Sequence, residues 1–244
     1  MKEVVKRLDG RKLNELRPVS MTRDYVEFPE GSVLIEMGKT RVLCNVSIQE
    51  KVPAWMAGKG KGWLTAEYAM LPRATHTRTP RETKGLKGRT QEIKRLIGRS
   101  LRMSIDLEAL GERMILVDCD VIQADGGTRT ASITGAYVAV VIALKKLIAA
   151  GEVPASVLKS PVAAISVGIM DEIPYLDLCY EEDSRAEVDF NVVMDGEGRF
   201  IEVQGTAEGE PFDRKTLDAL LDVARDGIQD LMKKQQSVLN ESFK

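Results

Sequence analysis

Three groups of residues in this chain have the types and spacing for phosphate chemistry. The first lies in Asp118–Gly135, DCDVIQADGGTRTASITG. The alternating apolar run Met114–Val121 reads as a strand, Gly126 and Gly127 follow, and a long apolar stretch predicts a helix over 130–150. Two glycines let a backbone turn sharply and approach a ligand closely. The first N–H groups of the helix then face the turn, and the helix dipole favours an anion there. Arg129 and the hydroxyls of Thr128 and Thr130 would complete a phosphate cradle. The same junction also reads as a glycine turn with a threonine cap and no ligand. The second group is Arg89, placed after Gly88 at the start of a helix predicted over 89–106, where free N–H groups would also meet an anion. The third is acidic. Within Glu181–Asp189, an extended chain points Asp183, Arg185, Glu187 and Asp189 to one face and spreads the two aspartates over about 20 Å. A turn or bulge is then needed for both to hold one cation. Hard carboxylate ligands suit Mg²⁺ or Mn²⁺; without a cation the segment reads as a soluble acidic edge strand.

These groups share a charge setting. Between Lys59 and Arg102 there are 12 Lys or Arg against three Glu, in a chain whose net charge is only −2. A basic segment inside an otherwise acidic protein suits a polyanion, although a solvated charged surface has the same composition. Its centre is a long aperiodic loop, Pro72–Gly88, carrying Arg73, His76, Arg78 and Arg81. In the next helix Ile93, Leu96, Ile97 and Leu101 form an apolar stripe, with Arg95, Arg99 and Arg102 opposite; Glu92 would pair with Arg95 on a solvated face. His76 is the one histidine in the chain. A Ser–His–Asp or Cys–His apparatus is therefore disfavoured, and phosphoryl transfer by positioning, a metal and arginines fits better.

The positioning elements follow from periodicity and turn signals. Residues 1–23 are polar and read as an arm with a short turn. Runs at 25–28, 32–37 and 40–49 read as a meander of hairpins, 51–62 as a loop, and 64–71 as a further strand. The helix over 130–150 has a small side (Ala131, Ser132, Gly135, Ala136, Ala139, Ala143) fit for close packing, with Gly151 as its C-terminal glycine. Strands are expected at 161–169, 175–180, 186–194 and 200–204. A final helix begins at Asp213, with Phe212 stapled onto Leu217 and a stripe of Leu217, Leu220, Leu221, Ala224, Ile228 and Leu231. One domain over 1–244 is expected, with 1–153 and 154–244 as subdomains meeting between Pro154 and Pro161.

Composition narrows the class. The 244 residues are 43% hydrophobic and 30% charged, a globular profile. Cys44, Cys119 and Cys179 are widely spaced, all in expected strands, and read as reduced thiols rather than a disulfide framework or a zinc site. The first twelve residues lack the apolar core of a signal peptide. The longest apolar run, Ala136–Leu144, falls short of the roughly 20 residues a bilayer requires. A cytoplasmic protein with no membrane partner is the expectation.

Five stretches carry a resemblance to a known family: DGRKLNELRPV (Asp9–Val19), WLTAEYAMLPRATHTRTPRE (Trp63–Glu82), GRTQEIKRLIGRSLR (Gly88–Arg102), DCDVIQADGGTRTASITGA (Asp118–Ala136) and EEDSRAEVDFNVVM (Glu181–Met194). In this order they resemble the ribonuclease PH family over nearly the whole chain. The resemblance implies an α+β protein with that family's β-α-β fold, mixed sheets packed with helices, related to polynucleotide phosphorylase and the exosome ring but without the former's appended RNA-binding module. It also implies a homohexamer built as a trimer of dimers. The implied activity is phosphate-dependent 3′→5′ trimming of transfer RNA precursors and other RNA 3′ ends, reversible as nucleotidyl transfer. By the same resemblance, phosphate binds Arg89, Gly127, Thr128 and Arg129, and the catalytic set is Arg89, Arg129, Asp183 and Asp189. Asp183 and Asp189 are the pair associated with Mg²⁺ or Mn²⁺. Arg95 and Arg99 hold the RNA 3′ end, and Arg73, Arg78 and Arg81 contact transfer RNA. The rivals are a non-catalytic ring subunit that binds RNA and a small-molecule kinase, for which the Walker spacing is absent.

Overall fold

A computed structural model describes Arg7 and residues 9–241. The expected N-terminal arm lies partly outside them, at residues 1–6 and 8. Strands β1 (Val19–Arg23), β2 (Gly31–Met37) and β3 (Thr40–Gln49) form an antiparallel meander. Strand β4 (Trp63–Met70), helix α1 (Gly88–Arg102) and strand β5 (Met114–Gln123) form a β-α-β unit, with β4 and β5 parallel. Because β5 also pairs with β3, the first sheet has the order β1-β2-β3-β5-β4. Parallel strands end at one edge, so the loops after β4 and β5 emerge side by side. They are tied there: the Leu71 N–H donates to the Val121 carbonyl (3.0 Å) and the Ala124 N–H to the Ala74 carbonyl (2.8 Å).

Helix α2 (Thr128–Ala149) is the central element. Its small side packs as its composition requires. A Cβ at Gly135 would lie 2.6 Å from the Ile35 side chain, and one at Gly31 would lie 2.0 Å from the Ala139 carbonyl. The helix ends in a Schellman arrangement, with Gly151 at φ 74° donating to the Ile148 carbonyl and Glu152 to that of Leu147. Among the described residues α2 is the one helix long and apolar enough to cross a membrane, yet 78% of its most apolar stretch is buried inside the protein.

The second sheet is antiparallel: β6 (Val162–Met170), β7 (Ile173–Leu176), β8 (Val188–Asp195) and β9 (Phe200–Ala207), in the order β7-β6-β8-β9. A four-residue helix, α3 (Tyr180–Asp183), separates β7 from β8. The final helix is α4 (Arg214–Asn240); Asp213 caps it by accepting from the Thr216 N–H, and Phe212 packs edge-on against Phe190. Thr134 of α2 accepts from the Ala164 N–H of β6 and donates to the Ala164 carbonyl, while Gln235 of α4 donates to the Val162 carbonyl. One apolar core runs through both sheets and joins α1, α2 and α4.

The architecture is α+β with mixed pairing, as expected. Several local readings change. Residues 25–28 are not a strand; the chain turns there with Asp24 at φ 49°, and the strand lies earlier, in the polar stretch that becomes β1. Alternate exposure on a sheet edge hides β1 from a hydrophobic pattern. Helix α1 stops at Arg102 rather than 106, because Ile105 leaves to bridge with Leu158. Strand β7 ends at Leu176, so Cys179 is the N-cap of α3 and not a strand residue.

Candidate active site

The glycine turn is built for close approach on two sides. Gly126 and Gly127 sit at φ 76° and 63°, conformations that exclude most side chains. A Cβ at Gly126 would lie 2.5 Å from the Leu178 carbonyl oxygen and 2.8 Å from the Cys179 carbonyl carbon, so the turn presses directly on the segment entering α3. The turn is braced from outside. The Thr40 hydroxyl donates to the Gly126 carbonyl (2.7 Å) and accepts from the Asp125 N–H (2.9 Å), and Arg17 donates to the Asp125 carbonyl. Gly127 is the N-cap of α2 and offers no side chain, so the first N–H groups of α2 have no side-chain cap. Of the two threonines expected in the cradle, Thr130 is buried and donates to the Gly127 carbonyl. Thr128 shares a hydrogen bond with the Tyr68 hydroxyl at 2.8 Å.

Arg129 reaches across to α1 and β9. Its Nη1 donates to Glu92 Oε1 (3.2 Å) and Gln204 Oε1 (3.0 Å), and Gln204 donates to the same Glu92 oxygen (3.1 Å). Glu92 therefore does not pair with Arg95, as a helix-surface reading expects; the packing of α1 against α2 gives it Arg129 as a partner. Arg89 stands in the first turn of α1, exposed and with no hydrogen bond or ion pair among the described residues. That helix start also lacks a side-chain cap and has no acidic residue in its first turn.

The chain coils through α3 and a turn at Ser184 and Arg185, and this supplies the bend the acidic segment needed. Arg185 and Glu187 are carried to the surface, whereas Asp183 and Asp189 both face the arginines. Two buried ion pairs fix α3 from behind. Arg7 grips Glu182 through both carboxylate oxygens, and Arg17 grips Asp177 in the same manner. Burial raises the Asp183 pKa above its ordinary value against the pull of Arg89, Arg129 and Arg17. Burial, then the Asp183 charge, pushes Asp189 up to about 6, with Arg129 and Arg89 opposing. Asp189 Oδ1 is buried without a hydrogen-bond partner. An orphaned carboxylate oxygen beside a second carboxylate is a fit place for a hard cation that keeps water or phosphate as its other ligands. No cluster of three or more His, Cys, Asp or Glu suited to a metal occurs among the described residues. Asp183 and Asp189 would be the carboxylate ligands of such a cation, and the Glu208 charge also reaches both.

Arg89, Gly127, Thr128, Arg129, Asp183 and Asp189 thus converge from four segments. The remaining basic residues lie outside this cluster. Arg73, Arg78 and Arg81 are on the adjoining loop, where Arg81 lowers the pKa of Asp120 on β5 against the larger effect of burial. Arg95 is exposed on α1, and Arg99 pairs with Glu202 of β9 at 2.8 Å. Arg102 is turned into the fold instead: it lies 4.5 Å over the Trp63 ring and donates to the Leu64 carbonyl. Tyr68, Arg17, Thr40 and Gln204 escaped the sequence reading. Each is remote in sequence from the residue it supports.

Comparison with known proteins agrees with this fold. Residues 15–146 match the model of the 3′ exoribonuclease family, domain 1, and residues 160–227 match domain 2 of the same family. The fold recurs in Rrp46 from rice (Oryza sativa), with a TM-score of 0.79 and 19% identity over 96% of this chain and 100% of that one. It recurs in the Archaeoglobus fulgidus exosome with RNA bound to the active site, at a TM-score of 0.77 and 23% identity, covering 94% and 92% of the two chains. An archaeal exosome core matches at 0.73 and 23%, over 95% and 91%. With both domain models matched in order along one chain, the protein belongs to the 3′ exoribonuclease family of the ribonuclease PH type.

Proposed function

We propose that this protein is a phosphorolytic 3′→5′ exoribonuclease that trims transfer RNA precursors in the cytoplasm. One observation carries the reading: two guanidinium groups and two carboxylates meet at the uncapped N-terminus of α2. The dipole and N–H groups of α2, with Arg89, Arg129 and Thr128, bind orthophosphate. A phosphate oxygen attacks the phosphorus of the last phosphodiester in line. The bond to the 3′-oxygen of the preceding nucleotide breaks, giving a nucleoside 5′-diphosphate and an RNA one residue shorter. Arg89 and Arg129 offset the repulsion between the two phosphates and hold them close. Asp183 and Asp189 would hold Mg²⁺ or Mn²⁺, which neutralises charge on the transferring oxygens. One phosphoester-type bond replaces another, so the reaction runs backwards when diphosphates are abundant.

Arg95 and Arg99 lie along α1 from Arg89 and fit the approaching RNA 3′ end, while the loop carrying Arg73, Arg78 and Arg81 fits the body of a transfer RNA. The exosome whose fold this chain shares is described with RNA in its active site, which supports an RNA substrate; the assembly that the family resemblance implies is a homohexamer of three dimers. The test is incubation of the protein with a 3′-tailed transfer RNA precursor and Mg²⁺, with and without phosphate. Nucleoside diphosphates should appear only with phosphate and vanish for Asp189→Asn. RNA binding without phosphate-dependent release would leave a non-catalytic RNA-binding subunit.

A further inference from the structure

We infer that Tyr68 is a positioning residue that makes the Thr128 hydroxyl an obligate hydrogen-bond donor toward bound phosphate. This rests on the reading that phosphate occupies the glycine turn. Tyr68 lies on β4, 4% exposed, sixty residues from the turn, and its hydroxyl is 2.8 Å from Thr128 Oγ1. Thr128 is its one hydrogen-bond partner among the described residues. Either oxygen can donate by distance alone, but the surroundings choose. If Thr128 donated, the phenol proton would be left buried with no acceptor, which is the costly arrangement. Burial holds the phenol protonated, with its pKa above the ordinary value despite the fields of Arg89 and Arg129, which both reach it. Tyr68 therefore donates, and an acceptor position of Thr128 Oγ1 is occupied.

The consequence falls on the ligand. A threonine hydroxyl ordinarily rotates to accept or donate as its neighbours require. With Tyr68 donating to it, the remaining Thr128 proton is free to point to the open end of α2. The unprotonated oxygens of the phosphate only accept, so the site receives an aimed donor for one of them beside the α2 N–H groups. Tyr68 need not touch the ligand for this to hold.

The experiment measures the phosphate KM and kcat of phosphorolysis for wild type, Tyr68→Phe, Thr128→Val, Thr128→Ser and the double variant combining Tyr68→Phe with Thr128→Val. Phosphate-induced thermal stabilisation provides a readout without turnover. Tyr68→Phe keeps the buried ring, so melting without phosphate reports whether the fold persists. The expected result is a roughly 3–10-fold rise in phosphate KM for Tyr68→Phe with kcat changed less than about twofold. Thr128→Val should do the same, Thr128→Ser should lose less than Thr128→Val, and the double substitution should be no worse than Thr128→Val alone. A Tyr68→Phe protein with wild-type KM and thermal shift, or a double substitution that multiplies the two single losses, overturns the inference while leaving phosphorolysis intact. A wild-type protein with no phosphate response overturns the phosphorolytic reading itself and this inference with it.

Discussion

Glu92 on α1 accepts a hydrogen bond from Arg129 on α2 at 3.2 Å, and Gln204 on β9 braces both. The carboxylate thus aims the guanidinium that phosphate needs, while its charge competes with phosphate for it. The two effects separate by substitution. Glu92→Gln keeps a hydrogen-bond acceptor and removes the charge, so phosphate KM should fall about 2–5-fold, the scale of a partly exposed ion pair. Glu92→Ala removes the brace and should raise KM. Steady-state kinetics in phosphate read both, and equal effects in one direction would refute the dual role.

The two glycines of the turn are not equivalent. A Cβ at Gly126 would meet the Leu178 and Cys179 backbone at 2.5 and 2.8 Å, which cannot yield without moving α3. At Gly127 the nearest atoms are 3.2 Å away, the tip of Arg17 and the Thr130 hydroxyl. Gly126→Ala should cost about 3 kcal/mol or more and abolish activity, by separating Asp183 from the cradle. Gly127→Ala should cost about 1–2 kcal/mol, from left-handed strain alone. Denaturant melts of both variants provide the comparison.

Asp189 should show opposed effects on stability and activity. Its folded pKa, about 6, stands above the ordinary 3.8, so folding is favoured by its protonated form. That contribution is complete below about pH 4 and is lost as pH rises through 6. At pH 7.5 without metal, the buried charge is a burden that Asp189→Asn relieves, by about 3 kcal/mol. The gain should shrink as pH falls and vanish near pH 4, while phosphorolysis drops by about 100-fold or more at any pH. A variant less stable than wild type at pH 7.5 would contradict this.

Arg17 supports the site from behind by pairing with fully buried Asp177 while it holds the Asp125 carbonyl. Arg17→Met would leave buried Asp177 with only the Arg11 guanidinium at 3.8 Å and the residue-17 backbone N–H, and should cost about 3 kcal/mol. Asp177→Asn combined with Arg17→Met should recover part of that loss in thermal melts.

Arg78 and Arg81 are exposed on the long loop, with no hydrogen bond or ion pair among the described residues. If they meet RNA phosphates, each Ala substitution should weaken transfer RNA binding and lower the slope of log affinity against log salt by about 1. Activity on a short single-stranded RNA should change little. Equal losses on both substrates would place these arginines at the 3′ end instead.

The strand–glycine–helix junction was legible in the sequence because its signals are local. Alternation from Met114, two glycines and an apolar run beyond them report backbone geometry within a few residues. So were the apolar stripe of α1, the small side of α2 and the cap at Asp213, each a matter of spacing along one element. The sequence also contained the charges of the site, Arg89, Arg129, Asp183 and Asp189, and their chemical types limited what they could bind.

Which of those charges would meet was decided by packing. Asp183 and Asp189 reach the arginines because a four-residue helix, clamped by Arg7 and Arg17 from the other end of the chain, and the turn after it bend the acidic segment. Glu92 finds Arg129 rather than its helix neighbour because α1 lies against α2. Tyr68 finds Thr128 because β4 and β5 run parallel and end at one edge. Side chains far apart in sequence have no periodicity to betray their contact; it arises only when burial of the shared core fixes where each element lies.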